Sequence, residues 1–181
     1  MTEKQRTDNI LKNNLYLTMA TATKSGHPWI SPLFYVHDQH NRLYWYSRKT
    51  ARHSKLLMCN HKVAVTIFDS HAVGDAVDGL YIQGRAREVS PKELKNVLPL
   101  YTKKLYAKIL DKTKHNPSDF MKESPLRMYV AIPEKLWLVG PAGSYKGKYL
   151  DTRIAMKSEG LLPDLGQRKI DGRLRLERGF F

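Results

Sequence analysis

From residue 15 onward the apolar and polar positions of the chain alternate with a period of two. In "LYLTMATAT", Leu15, Leu17 and Met19 share one face and Tyr16 and Thr18 the other, the pattern of a half-buried strand. Lys24-Ser25-Gly26-His27 reads as a turn. "PWISPLFYV" and "RLYWYS" then predict two more strands, separated by the polar turn "HDQHN". Ala51 to Cys59 predicts a short helix with Thr50 as its N-cap and Asn60 and His61 at its close. Alternation resumes in "KVAVTIFD" and in "DGLYIQGRAREV", where Leu80, Ile82 and Ala86 oppose Tyr81, Gln83, Arg85 and Arg87.

A helix is also expected over residues 2–13, with Ile10 and Leu11 near its end. Ser90-Pro91-Lys92-Glu93 has the form of a capping box with proline at the first helical position. In the helix it starts, Leu94, Leu98, Tyr101, Leu105 and Ile109 share a face, and Pro99 is expected to kink or split it. Asn116-Pro117 opens another short helical piece, and "RMYVAIP" and "EKLWLVG" predict two further strands. Gly140-Pro141-Ala142-Gly143-Ser144 reads as a turn after a strand.

The sum is about seven short strands, one helix between the third and fourth, and a helical insertion at about 90–125. That predicts a mainly β (α+β) fold, an antiparallel barrel with peripheral helices. One domain is expected over 1–153, followed by a tail of uncertain structure at 154–181.

Composition narrows the partner. The chain has 181 residues, 41% hydrophobic and 10% aromatic, which is enough for a real core. No apolar run approaches the ~20 residues of a membrane-spanning helix. The first residues lack the pattern of a secretion signal, and Cys59 is the single cysteine, so no internal disulfide is expected and the cytoplasm is the default location. Cys59 itself is expected to pack on the apolar side of its short helix. Against 17 acidic residues stand 31 Lys and Arg, a net charge of +14. Such a chain suits an anion: a nucleic-acid backbone, a phosphorylated cofactor or an acidic membrane surface. Solubility alone is the other explanation.

The charge is concentrated in "YSRKTARHSK". Arg48, Lys49, Arg52 and Lys55, with His53 and the hydroxyls of Ser47, Thr50 and Ser54, sit where a strand passes into a helix. Cations at a helix N-terminus are unfavourable without a ligand, so a phosphate site at this joint competes with a solvated loop. Seven histidines are scattered without metal-site spacing, and no metal is expected.

The order of "LTMATATKSGHPWISPLFYVHD", "RLYWYS", the basic joint, a helix, "NHKVAVTIFD" and "GLYIQGRAREV" resembles the FMN-binding split barrels related to pyridoxamine 5′-phosphate oxidase. The resemblance runs from about Leu15 to Val89 and continues through "PEKLWLVG". It implies a Greek-key antiparallel split β-barrel, bound FMN with the phosphate at the joint, and a homodimer with the flavin at the subunit interface. Counted back from Asn60, the family's phosphate-binding Arg-Lys pair falls on Arg52 and His53; read literally, "SRK" is Ser47-Arg48-Lys49. Tyr46 and Ser47 match the strand end beside the ribityl chain and phosphate. Ile30, Ser31, Pro32 and Leu33 match the strand whose backbone lines the ring, though without the resemblance Ile30 and Leu33 read as barrel core. Trp137 is a candidate to reach the flavin from the second chain and is otherwise expected in the core.

The resemblance implies a flavin-dependent oxidoreductase acting on a small molecule, with the redox chemistry carried by the cofactor, so no protein catalytic residue is named. A deazaflavin-dependent reductase on the same barrel is the alternative cofactor reading. "GSYKGKYLDTR" lacks the Arg-x-His that grips the oxidase's substrate phosphate, and Tyr35 stands where the oxidase has a flavin-contacting lysine, which speaks against pyridoxamine 5′-phosphate as substrate. A basic nucleic-acid-binding barrel is the rival from another class; no RNP-like or helix-turn-helix pattern supports it.

Overall fold

The structure is a computed structural model that describes residues 1–108, 115–141, 143–145, 148–150 and 152–156. Helix α1 (Glu3–Asn13) is followed by strands β1 (Tyr16–Ala22), β2 (Pro28–Phe34), β3 (Val36–His37) and β4 (Leu43–Arg48), then helix α2 (Arg52–Leu57). Strands β5 (Lys62–Phe68) and β6 (Gly79–Glu88), helix α3 (Pro91–Lys108) and strand β7 (Leu126–Val139) come next. Short strands β8 (Gly143–Tyr145), β9 (Lys148–Leu150) and β10 (Arg153–Ala155) close the described part. Ile109 and the tail from 157 to 181 lie outside the described residues.

The main sheet runs β2-β1-β5-β6-β7-β4-β3 with antiparallel neighbours, and β10 adds to β7. Its two end strands are halves of one stretch, 28–37, broken only at Tyr35. The ends of the sheet are therefore joined through the backbone, and it must curl into a barrel. β5 returns through α2 to lie beside β1, after β1, the 28–37 stretch and β4 have followed one another, which is Greek-key order. Closure is incomplete. β3 and β4 pair only at Val36↔Tyr44 and His37↔Leu43, so β2 has no strand on its far side among the described residues. That gap is the split.

Period two decides what fills the barrel. Leu17, Met19, Leu43, Trp45, Ile67 and Leu80 point inward and are at most 1% exposed. Trp45 stacks on Tyr129 with ring centroids 5.7 Å apart. Tyr35 is fully buried, and its hydroxyl donates to the Leu11 carbonyl at 2.9 Å, fastening α1 to the barrel. Burial pushes that hydroxyl's pKa up. Thr2 and Gln5 form a capping box at the start of α1, and Arg6 binds Asp78 at 2.7 and 2.9 Å.

β4 is covered on both faces. Its outward Tyr44 joins Val36, Met128 and Val130 in a second core against Leu94, Val97, Leu98 and Tyr101 of α3. Those four α3 residues follow i, i+3, i+4, i+7 spacing. Of the two outcomes expected at Pro99, a kink or a split, α3 is not split: it runs through Pro99 as one helix. Pro99 and Lys95, whose carbonyl loses its helical partner to the proline, are both exposed, and a backbone bond lost on a solvated face costs least because water can replace it. "RMYVAIP" and "EKLWLVG" likewise form one strand, not two. β7 carries an extra residue where the β6 partner shifts from Gln83↔Lys135 to Gly84↔Pro133. Proline cannot donate to the ladder, so a bulge is where a strand tolerates it.

At the start of α3 the Glu93 carboxylate accepts from the Arg87 guanidinium at 2.7 and 2.9 Å and from the Ser90 N–H and hydroxyl at 2.8 and 2.7 Å. These bonds, Arg87's foremost, hold its pKa at about 2 against an ordinary value near 4.5. A carboxylate depressed on folding adds stability above its unfolded pKa and loses it as pH falls toward the folded one. The melting-temperature gap between the parent and Glu93→Gln should therefore narrow steadily from pH 4.5 to pH 2. A gap that stays constant over that window would rule out the linkage.

Candidate anion and cofactor site

The split places an open strand edge beside the basic joint. Thr21 donates its hydroxyl to the Trp29 carbonyl on β1's side, while the Phe34 carbonyl, on the other side, accepts from Tyr101. Along an antiparallel strand these directions alternate, so Ile30 and Pro32 share Phe34's direction. The missing N–H of Pro32 thus faces away from β1, and the N–H and C=O of Ile30 and the C=O of Pro32 point into the split.

The joint leaves β4 through a tight turn, with the Ala51 N–H donating to the Arg48 carbonyl at 3.0 Å and the Lys49 N–H to the Pro125 carbonyl at 2.9 Å. Ala51, not Thr50, is the N-cap of α2, and no side chain caps it. Thr50 lies inside the turn, too early to reach the first helical N–H groups. α2 has only six residues, so its dipole adds little and the case for an anion rests on side-chain charge.

That charge is exposed and uncompensated. Arg48, Lys49, Arg52 and Lys55 are all exposed. Among the described residues none of them has a carboxylate in ion-pair range, whereas Arg6, Arg42, Arg85, Arg87 and Arg127 all do. Four like charges on one joint produce a positive potential that an anion would relieve. The Arg52 guanidinium lies 4.6 Å over the Trp29 ring, a cation–π contact that restrains it.

His53 crosses the split. Its Nδ1 is 3.2 Å from Ser31 Oγ on β2 and its Nε2 is 2.8 Å from Ser47 Oγ on β4. The residue is buried, only 8% exposed, with both ring nitrogens engaged. Burial lowers its pKa, so it is neutral at pH 7. Trp29 Nε1 donates to Ser31 Oγ at 3.1 Å.

The structure thus brings Ser31, Ser47 and His53 together and sets Arg48, Lys49 and Arg52 around them. Leu33 points into the barrel with Ser31, while Ile30 and Pro32 face outward and are exposed. Tyr46 lies on the face of β4 opposite Ser47, its ring 5.2, 5.3 and 5.6 Å from those of Tyr101, His115 and Phe120. Trp29 was not among the expected site residues. Its parity with Ser31 on one strand is the signal by which it could have been found. Cys59 is exposed rather than packed, because α2 ends before it.

On the outer face a cavity of about 480 Å³ is lined by Ala20, Ala64, Ile30, Tyr81, Trp137 and Arg153, among others. Cross-strand registers explain its shape: small Ala20 and Ala64 pair in the middle, between Ile30 opposite Ala20 and the Tyr81↔Trp137 pair. Trp137 is half-buried on this outer face and not in the core. Among the described residues no three His, Cys, Asp or Glu side chains gather as a metal site, and no helix is long and apolar enough to cross a membrane.

The donor set fits a phosphate: four exposed cations without a carboxylate partner among the described residues, the hydroxyls of Ser47 and Thr50, and a neighbouring strand edge with main-chain donors and acceptors for a polar ring.

A curated relative, the UPF0306 protein PM1958 of Pasteurella multocida (strain Pm70), is 28% identical over 98 residues, 54% of this chain and 65% of that protein, so the match spans just under two thirds of its length. Among solved structures, a heme binding protein from Mycobacterium smegmatis superposes with a TM-score of 0.63 at 16% identity, over 89% of this chain and 60% of that one. A FAD-binding protein from Mesorhizobium loti gives 0.57 at 16% identity, over 76% and 94%. At these identities the likeness is one of fold. The sequence itself matches the family described as pyridoxamine 5′-phosphate oxidase from residue 3 to residue 137, across α1 and the barrel as far as Trp137, and the chain belongs to that family.

Proposed function

We propose that this protein binds FMN and serves as a flavin-dependent oxidoreductase of a small molecule in the cytoplasm. One observation carries the reading: a cluster of exposed cations with no carboxylate in range among the described residues stands beside a strand edge that no described strand covers. Arg48, Lys49, Arg52 and the Ser47 hydroxyl would hold the phosphate, and the backbone of Ile30, Ser31, Pro32 and Leu33 would line the ring. When bound, the flavin supplies the transfer of electrons, and the protein's residues bind and orient it. Both ring nitrogens of His53 are engaged by Ser31 and Ser47, and the Tyr35 hydroxyl hydrogen is given to the Leu11 carbonyl, so neither side chain is offered as a proton donor or acceptor for the chemistry. The outer apolar cavity bordered by Ile30 and Trp137 is assigned to a second copy of the chain, giving a homodimer with the flavin between subunits.

Purified protein should retain FMN or take it up with micromolar or tighter affinity, a binding free energy of about −8 kcal/mol or stronger. Flavin fluorescence quenching measures it, with a deazaflavin titrated in parallel. Quenching by the deazaflavin alone would transfer the reading to that cofactor; quenching by neither would end it.

A further inference from the structure

The hydrogen bonds across the split have a direction. Trp29 Nε1 has a hydrogen to give and no lone pair to receive with, so Ser31 Oγ accepts from it at 3.1 Å. Ser31 is buried, and the other partner of its hydroxyl is His53 Nδ1 at 3.2 Å. A buried hydroxyl hydrogen left without an acceptor is costly, and Nδ1 is the one partner left for it among the described residues, so the Ser31 hydrogen goes to Nδ1, the bare nitrogen of the neutral ring. The ring's hydrogen then sits on Nε2, which donates to Ser47 Oγ at 2.8 Å. Ser47 accepts that bond, and its own hydroxyl hydrogen has no other partner among the described residues. Ser47 is half-buried at the joint, next in the chain to Arg48 and Lys49.

We propose that Trp29, Ser31 and His53 form a one-way relay of hydrogen bonds that makes Ser47 a donor into the phosphate subsite, with Trp29 and His53 as positioning residues that do not touch the anion. Trp29 acts twice. Its Nε1–H sets the direction of the relay, and its ring face carries the Arg52 guanidinium at 4.6 Å. The side chain that orders the relay also restrains one of the joint's cations, so the neutral donor and a charged one are fixed by the same residue on the edge of the split. The identity of the anion as FMN rests on the reading above; the direction of the relay does not.

Nitrogen-15 spectra of the ligand-free protein test the direction first. His53 should show hydrogen on Nε2 and none on Nδ1, and the opposite tautomer would overturn the relay whatever the protein binds. Binding is then compared for FMN and riboflavin. Ser47→Ala should weaken FMN about tenfold and leave riboflavin unchanged, the effect of losing one hydrogen bond to a charged group. Trp29→Phe keeps a ring under Arg52 but frees Ser31, and should weaken FMN about threefold. In the double variant the loss should equal that of Ser47→Ala alone, because Trp29 acts through Ser47. Losses that multiply, or that fall equally on riboflavin, mean that Trp29 only supports the strand, and the proposal fails while the FMN reading stands. If the parent binds no FMN, inorganic phosphate is the probe. A phosphate-induced shift at His53 Nε2 that Ser47→Ala abolishes keeps the relay and discards FMN, and no response to phosphate discards both.

Discussion

Arg52→Ala should weaken FMN roughly tenfold to a hundredfold while leaving riboflavin binding almost unchanged. The two ligands differ only in the phosphate, and a hydrogen bond to a charged group contributes ~1.5–3 kcal/mol, which spans that range. Arg52 is exposed and has no carboxylate partner in range among the described residues, so nothing in the empty protein depends on it except its cation–π contact with Trp29. At an exposed site such a contact contributes ~0.5–1 kcal/mol, and the variant should melt close to the parent. Arg48→Ala and Lys49→Ala resolve the two registers that the joint permits: the larger loss belongs to the side chain that touches the phosphate. Added salt should reduce the difference between FMN and riboflavin, since exposed charges are screened within about 10 Å at 0.1 M. Three variants that all bind both ligands as the parent does would leave the joint a solvated loop.

Gly84→Ala should be the most damaging single methyl addition in the barrel wall. A β-carbon at Gly84 would stand 2.2 Å from the Ile132 carbonyl oxygen and 3.1 Å from the Pro133 α-carbon. Both are backbone atoms, so no side chain can rotate away, and the β6–β7 pairing must open. Overpacking of this kind costs ~1–3 kcal/mol and sometimes more, and each kcal/mol lowers the melting temperature of a chain this size by roughly 2–4 °C. Calorimetry of the variant checks it. A melting temperature within a degree of the parent's would show that the bulge at Pro133 has slack to absorb the methyl. The contrast with Gly26 is instructive: its φ of 90° demands glycine for conformation, yet nothing lies within 4 Å of its missing β-carbon.

Much of the architecture was legible because the residues that determine it are neighbours in the chain. Leu17 and Met19, Leu43 and Trp45, and Leu80 and Ile82 alternate with polar or outward positions, and the same alternation places them inside the barrel. Ser90 and Glu93 announced the start of α3, and Leu94, Leu98 and Tyr101 its buried stripe. Errors came where a local rule met a tertiary context. Pro99 was expected to kink or split a helix, and α3 runs through it unsplit with Lys95 and Pro99 both exposed. Pro133 was expected to end a strand, but Gly84 on the neighbouring strand lets the ladder bulge around it.

Sequence alone determined the alternation of strands, the two short helices' places, the net charge and the concentration of cations at the joint, because period, turn chemistry and charge are properties of short stretches. It also carried the family. Only the tertiary structure decided that β2 and β4 face each other across a split, that His53 turns inward to bond Ser31 and Ser47, and that Trp29 lies beneath Arg52. Ser31 and His53 are 22 positions apart, and Trp29 and Arg52 are 23 apart. No periodicity reaches that far. The register between strands sets those distances, and the register is fixed by burying the whole barrel interior at once, which no single segment can specify.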